Sequence, residues 1–175
     1  MSNIVLIGMP ACGKSITGVV LAKTVRKSFI DTDLLIQERE ERPLQDIINQ
    51  DGNDYFRQVE EDVLKTLETS NSVVSTGGSA IYYPAAMENL KKNGVVVYLK
   101  VSLATIEERL NNIHSRGVTM KKGDTIASLY DERIPLYEKY ADVTIEADGF
   151  SVEESVEAII EKTSLYLKEK ENLHK

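Results

Sequence analysis

The sequence contains few of the side chains that build disulfides and metal centres. Of its 175 residues, one is a cysteine, Cys12, and two are histidines, His114 and His174. A single cysteine excludes an internal disulfide and is typical of a reducing compartment. Two histidines, one of them next to the last residue, disfavour a histidine-based metal site. We therefore expect a cytoplasmic protein.

The sequence also has no long apolar run and no excess of basic residues. Apolar runs such as residues 94–99 are far too short to cross a bilayer. The first strand pattern begins at Asn3, close to the first residue, so we expect no signal or transit peptide. The formal net charge is −7, whereas nucleic-acid backbones are bound chiefly by clustered Lys and Arg. We expect a small-molecule substrate, and neither a membrane nor a nucleic-acid partner.

A phosphate-binding motif lies near the start of the sequence. Residues 8–15, GMPACGKS, have the spacing G-x-x-x-x-G-K-[ST] between a strand pattern and a helix pattern. The two glycines let backbone N–H groups point at one anion, the lysine adds a cation, and the serine hydroxyl can ligate Mg²⁺. The alternative is an ordinary glycine-rich turn. We predict nucleotide binding by this phosphate loop and the residue after it: Gly8, Ala11, Cys12, Gly13, Lys14, Ser15 and Ile16.

Strand and helix patterns alternate along the chain. Strands are predicted at residues 3–7, 28–31, 72–75, 94–100 and 141–146. Helices are predicted at residues 14–27, 33–41, 44–49, 53–69, 84–93, 103–112, 124–137 and 151–170. Several strands are apolar without alternation, as in a parallel sheet that is covered on both faces. The pattern predicts one α/β domain over residues 1–175, which we take to be monomeric, with ligands at the carboxyl ends of its strands.

Two carboxylates mark the end of the second predicted strand. Asp31 and Asp33 are two residues apart, so in an extended chain they share a side. We assign Asp31, with Ser15, to the Mg²⁺ shell and Asp33 to the hydroxyl of a phosphate acceptor. The alternative is that Asp31 caps the next helix and Asp33 lies in its first turn. The nearby phosphate loop favours the functional interpretation.

Three arginines are candidates for handling anions. Arg57 and Glu60 are three apart on a predicted helix, as either a surface ion pair or a device that orients Arg57 toward an acceptor carboxylate. Arg133 is either a second clamp or a residue that satisfies the end of a helix. Residues 113–123 are either a surface loop or a lid that brings Arg116 over the phosphates.

Together these segments resemble the shikimate kinases, small kinases with the nucleoside-monophosphate-kinase type of fold. The resemblance runs from Ile4 to about Ala147, through GMPACGKS, FIDTD, YFRQVEE, STGG, VVVYL and ERIPLYEKYADVTI. It implies a three-layer phosphate-loop kinase fold with a parallel sheet in the order 2-3-1-4-5. It also implies ATP as the phosphate donor, Mg²⁺ as its companion and shikimate as the acceptor.

The resemblance also implies a role for individual residues. Asp33 would contact the acceptor hydroxyls and act as a base, within a substrate-binding helical segment at about residues 33–60. Arg116 would contact the transferring phosphate from a lid at about residues 113–123, and Arg109 would lie along the adenine. The carboxylate and ring of the acceptor would be held by the following residues: Arg57, Gly77, Gly78 and Arg133.

The chain departs from the family pattern in two places. The family usually has three glycines where this chain has Gly77-Gly78-Ser79, and arginine-proline-leucine where it has Arg116-Gly117-Val118. Both changes concern what fits beside the acceptor, so a related kinase for another anionic hydroxy acid stays open. A nucleotide-binding module that transfers nothing is the third interpretation, although Asp33 and the arginines favour transfer.

Overall fold

The sheet at the centre of the molecule has five parallel strands. The computed structural model describes residues 2–111 and 123–173. The strands are β1 (Asn3–Ile7), β2 (Ser28–Asp31), β3 (Ser72–Ser75), β4 (Gly94–Lys100) and β5 (Val143–Glu146). Their order is β2-β3-β1-β4-β5, and every neighbouring pair is parallel. This arrangement confirms the predicted α/β class and strand order.

Helices cover the sheet. They are α1 (Lys14–Val25), α2 (Thr32–Glu40), α3 (Leu44–Thr66), α4 (Pro84–Lys92), α5 (Leu103–Asn111), α6 (Ile126–Tyr140) and α7 (Val152–Leu173), with a 3₁₀ turn at Ala80–Tyr82. Every residue of β1 and β3 is buried. Because successive side chains of a strand point to opposite faces, both faces of the sheet are covered. Within residues 2–111 and 123–173, no helix combines the length and apolar character that crossing a membrane requires.

The predicted element boundaries differ from the observed ones by a few residues. The fifth strand begins at Val143 rather than at residue 141, because α6 continues to Tyr140 and the amide of Ala141 still donates to the Tyr137 carbonyl oxygen. The predicted capping box at Ser151 is present, with reciprocal hydrogen bonds of 2.7 and 3.1 Å between Ser151 and Glu154. These local signals fix where each element starts and stops.

The helix α3 is broken where the sequence predicted two helices. Gly52 has φ 85° and ψ 171°, so the segments before and after it differ in direction. A positive φ of this size favours glycine, which explains the break. Arg42, between α2 and α3, donates to Gln50 at 2.9 Å and pairs with Asp51, both at the end of the first segment. The first segment of α3 is thereby held beside α2, at the carboxyl end of the sheet.

Candidate active site

The phosphate loop joins β1 to α1 and has the backbone that its glycines predicted. Gly8 has φ 148° and Gly13 has φ 101°. A Cβ on Gly8 would also lie 2.7 Å from the Leu99 carbonyl oxygen, so this residue has neither the conformation nor the space for a side chain. Lys14 is only 7% exposed, and its Nζ donates to the carbonyl oxygens of Gly8 at 2.8 Å and Met9 at 2.9 Å. The lysine charge is therefore held inside the loop.

Ser15 and Asp31 meet at the mouth of this loop. The Ser15 Oγ donates to Asp31 Oδ2 at 2.9 Å, and Asp31 Oδ1 accepts from the Asp33 amide at 3.0 Å. Asp31 therefore caps α2, as the alternative predicted, and its other carboxylate oxygen faces Ser15. No cluster of three His, Cys, Asp or Glu side chains that would hold a metal occurs in the described part of the chain. One carboxylate and one hydroxyl suit Mg²⁺, which usually takes its other ligands from phosphates and water.

A cleft of about 450 Å³ opens between the phosphate loop and α2. We call it the acceptor cleft. Asp33, half-buried in the first turn of α2, lines it opposite Lys14. Other residues that line it come from the phosphate loop, α2, the start of α3 and the segment after β3: Pro10, Ser15, Asp31, Leu34, Gln37, Leu44, Thr76, Gly77 and Gly78. The cleft thus places a carboxylate beside the expected position of the phosphates.

The glycine pair Gly77–Gly78 borders this cleft. Both residues are glycines because other side chains occupy the space that a Cβ would take. A Cβ on Gly77 would lie 2.9 Å from Asp33 Oδ1 and 2.7 Å from Glu60 Oε1. A Cβ on Gly78 would lie 2.8 Å from a terminal guanidinium nitrogen of Arg133. The pair therefore lets Asp33 and Arg133 approach the backbone that the sequence assigned to the acceptor ring.

Arg57 and Arg133 both lie close to the ring of one tyrosine, Tyr82. The guanidinium carbon of Arg133 is 5.3 Å from the centroid of the Tyr82 ring, and that of Arg57 is 6.0 Å away. Arg133 is 2% exposed, and its Nε donates to the Tyr82 hydroxyl at 3.3 Å. In residues 2–111 and 123–173, no carboxylate oxygen lies within 4.0 Å of either guanidinium. Two cations that are not paired with a carboxylate among the described residues favour an anionic ligand.

The predicted pairing of Arg57 with Glu60 is wrong. Glu60 is 1% exposed, and its Oε2 accepts from the Ser79 hydroxyl at 2.6 Å and the Tyr83 hydroxyl at 2.8 Å. These donors lie at the two ends of the 3₁₀ turn. They bind the Glu60 carboxylate in place of Arg57, its neighbour on the same helix. Ser79 therefore points at Glu60 and does not line the acceptor cleft. Its replacement of the third family glycine leaves that cleft open.

The burial of Glu60 changes its titration. Desolvation raises the pKa of this carboxyl from 4.5 to about 7, against the lowering effect of the Ser79 and Tyr83 hydrogen bonds. Asp33 adds to the increase, since it is a second negative charge, and Arg133 opposes it. An acid whose pKa is raised on folding favours the folded state at low pH and disfavours it once ionised.

The variant Glu60→Gln is expected to remove a pH-dependent part of the stability. The stability that Glu60 contributes is fully present below its unfolded pKa of 4.5 and is lost as the pH rises through about 7. Relative to the variant, the wild type should lose up to about 3 kcal/mol between pH 4.5 and 8. Urea unfolding across this range measures the difference, and Glu61→Gln controls for net charge. A pH-independent difference between wild type and Glu60→Gln would contradict the assignment.

A second cavity, of about 350 Å³, opens on the other side of the phosphate loop. Arg109 lines it, and its Nη1 donates to the Ala11 carbonyl oxygen at 3.1 Å. Ile16 and Phe150, 60% and 42% exposed, offer apolar surface at the same cavity. Phe150 and Ser155 also line this cavity; no sequence motif singles them out, and the one local signal is the cap at Ser151, a helix start just after a strand. The cavity has the size and the apolar walls to take a nucleobase, and we call it the nucleotide cavity.

The structure brings the sequence-predicted residues of the phosphate loop, β2 and the glycine pair together at one edge of the sheet. Arg57 and Arg133 both lie beside Tyr82, Arg133 also lies next to Gly78, and neither arginine lines the acceptor cleft. Arg109 lies on the other side of the phosphate loop. Arg116 and residues 113–122 of the predicted lid lie outside the described residues.

The comparisons with known proteins agree with this geometry. The family model of shikimate kinase matches residues 10–164. The chain belongs to the shikimate kinase family. It is 37% identical over 163 residues to a shikimate kinase of Sulfurihydrogenibium sp., covering 93% of this chain and 98% of that one. It is 41% identical over 143 residues to a shikimate kinase of Clostridium botulinum, covering 79% and 84%.

A solved structure gives the same result for the fold. The shikimate kinase from Acinetobacter baumannii in complex with shikimate superposes with a TM-score of 0.81 at 29% identity, covering 97% of this chain and 95% of that one. Members of the shikimate kinase family are small-molecule kinases, and ATP is their phosphate donor. The two cavities described above lie on the two sides of the phosphate loop.

Proposed function

We propose that this protein transfers the γ-phosphoryl group of ATP to the 3-hydroxyl of shikimate. The pair of arginines around Tyr82, neither of them paired with a carboxylate among the described residues, carries this proposal, because shikimate has one carboxylate for them to bind. Asp33 lies beside Gly77, as Arg133 lies beside Gly78, and from there it can meet a ring hydroxyl. The family membership and the shikimate bound to the Acinetobacter baumannii relative support the same acceptor.

The residues of the site divide the reaction between them. The acceptor oxygen forms a bond to the γ-phosphorus as the bond from phosphorus to the β,γ-bridging oxygen breaks, and ADP leaves with that electron pair. Asp33 takes the proton of the attacking hydroxyl. Lys14 stabilises the negative charge on the phosphate oxygens. Ser15 and Asp31 would hold Mg²⁺, which supplies further positive charge at the phosphates.

The rest of the predicted organisation belongs to the same proposal. Residues 1–175 would form a single kinase domain that works as a monomer in the cytoplasm. The helical segment at about residues 33–60 would bind the acceptor, and the lid at about residues 113–123 would bring Arg116 to the transferring phosphate. The contribution of all five strands to one sheet supports a single domain.

The variant Arg133→Ala is expected to raise the KM for shikimate. Losing a charged hydrogen bond to a carboxylate costs about 1.5–3 kcal/mol, which corresponds to a roughly 10- to 150-fold higher KM. The KM for ATP should change little, because Arg133 lies next to Gly78 and does not line the nucleotide cavity. Arg39→Ala is the matched control, since Arg39 is a half-exposed arginine on α2. An unchanged KM for shikimate would remove Arg133 from the carboxylate site.

The direct test is the release of ADP with ATP and Mg²⁺, with shikimate and without an acceptor. Turnover on the order of 10 s⁻¹ with shikimate, a typical enzyme rate, supports the proposal. Turnover only with another hydroxylated carboxylic acid would assign the same machinery to a different acceptor. Tight ATP binding without acceptor-dependent release would indicate a nucleotide-binding module that transfers nothing.

A further inference from the structure

Tyr137 touches both backbone segments that meet at the acceptor cleft. Its side chain is fully buried, and its hydroxyl donates to the Gly78 carbonyl oxygen at 2.7 Å. The same hydroxyl lies 3.9 Å from Met9 Sδ, in the phosphate loop. The Met9 carbonyl oxygen in turn accepts from Lys14 Nζ at 2.9 Å. One phenol therefore lies between the loop that handles the phosphates and the glycine pair that borders the acceptor.

Neighbouring atoms limit the movement of Gly78 in one direction, and Gly78 has no side chain of its own to anchor it. A Cβ there would lie 2.8 Å from a guanidinium nitrogen of Arg133 and 2.9 Å from Pro10 Cδ. Glycine without an anchor samples more backbone conformations than any other residue. The hydrogen bond from Tyr137 supplies that anchor. It starts one helical turn after Arg133 on α6, so the same helix places the guanidinium and holds the glycine next to it.

The phenol of Tyr137 is a permanent donor in a rigid position. Its ring stacks on Tyr98 of β4, with centroids 5.1 Å apart and planes at 21°. Burial raises the pKa of the Tyr137 hydroxyl far above its ordinary value of 10, so it keeps its proton at every pH at which the protein works. The ring stack fixes where the hydroxyl points.

We propose that Tyr137 is a positioning residue for the acceptor: its hydroxyl sets the distance between the glycine pair and the phosphate loop, so that the bound acceptor faces the phosphates. This inference rests on the proposed function. The hydroxyl does not touch the acceptor or the nucleotide, and acts through the Gly78 carbonyl. A role in packing alone would depend on the ring, which Tyr137→Phe keeps.

The test compares two tyrosine-to-phenylalanine variants on the same helix. Tyr137→Phe is expected to raise the KM for shikimate roughly tenfold, the effect of about one hydrogen bond, with the KM for ATP within about twofold of wild type. Tyr130→Phe is the matched control, because the Tyr130 hydroxyl also donates to a backbone carbonyl, that of Val101, at 3.1 Å. This control should leave the KM for shikimate unchanged, and melting curves confirm that both variants fold.

Hydrogen–deuterium exchange gives a readout that does not depend on the acceptor. The Gly77 amide donates to Thr32 Oγ1 at 3.3 Å, so its exchange reports on the glycine pair. The peptide over residues 76–80 should exchange several-fold faster in Tyr137→Phe than in Tyr130→Phe. Equal exchange in the two variants, or a Tyr137→Phe enzyme that keeps the wild-type KM for shikimate, would overturn the inference. So would an equal loss of affinity for ATP and shikimate.

Failure of the proposed function has a different signature. In that case the wild type shows no shikimate-dependent release of ADP at all. Faster exchange at residues 76–80 in Tyr137→Phe would then still support the anchoring of the glycine pair, and unchanged exchange would still overturn it.

Discussion

Lys14→Ala is expected to lower kcat about 10²–10³-fold, the usual cost of removing one preorganised charge contact from a transition state. The reason is the location of the ammonium: it is buried in the phosphate loop and held by two carbonyl oxygens, at 2.8 and 2.9 Å. Charge that develops on the phosphate oxygens would find this cation already in place. Steady-state release of ADP with saturating ATP and shikimate measures the effect.

The same helix offers a control for this variant. Lys23 is an exposed lysine in the last turn of α1, so Lys23→Ala removes one positive charge without touching the loop. Its kcat should equal that of wild type. If Lys14→Ala lost no more activity than Lys23→Ala, the phosphate loop would not be the place where the transferred group is stabilised. Lys14→Met, which keeps the aliphatic stem, separates the charge from the packing.

Asp33→Asn is expected to lower kcat about 10²–10⁴-fold, the range that general acid–base catalysis contributes. Asparagine keeps the shape and one acceptor oxygen but cannot take the proton of the attacking hydroxyl. Asp33 Oδ1 would lie 2.9 Å from a Cβ on Gly77, so the carboxylate is beside the proposed acceptor position. Binding of ATP should be nearly unchanged, which separates this variant from Lys14→Ala.

The alternative role of Asp33 has its own control. Asp46 is an exposed carboxylate in the first turn of α3, where it interacts with the positive end of that helix as Asp33 does in α2. Asp46→Asn should cost a few tenths of a kcal/mol in stability and nothing in kcat. If Asp33→Asn behaved in the same way, Asp33 would be a helix-end residue and the base would lie elsewhere.

The parts of this protein that the sequence predicted well are those encoded over short stretches. The phosphate loop is eight consecutive residues, and its glycines determine its backbone. Asp31 and Ser15 could be placed together because Asp31 ends β2 and Ser15 begins the helix after the loop that follows β1, in one parallel sheet, and their side chains do meet, at 2.9 Å. A family resemblance supplied the strand order, which the structure confirms.

The contacts that sequence reasoning missed join residues that are distant in the chain. The helix spacing predicted that Glu60 pairs with Arg57. Instead, two hydroxyls 19 and 23 residues away donate to the Glu60 carboxylate. The bond from Tyr137 to Gly78 spans 59 residues. A local pattern names the neighbours on one helix and does not show which other element packs against that face. Such contacts become visible only when the 3₁₀ turn and α6 are placed beside α3.

The phosphorylated product shows which hydroxyl of which acceptor receives the phosphoryl group. The protein would be incubated with ATP, Mg²⁺ and shikimate, and the product would be examined by phosphorus NMR with proton coupling. We expect a phosphate monoester whose phosphorus couples to the ring proton at carbon 3. A monoester on another hydroxyl would contradict the placement of Asp33 relative to the two arginines. Inorganic phosphate alone, without any phosphate ester of shikimate, would contradict the assignment of shikimate as the acceptor.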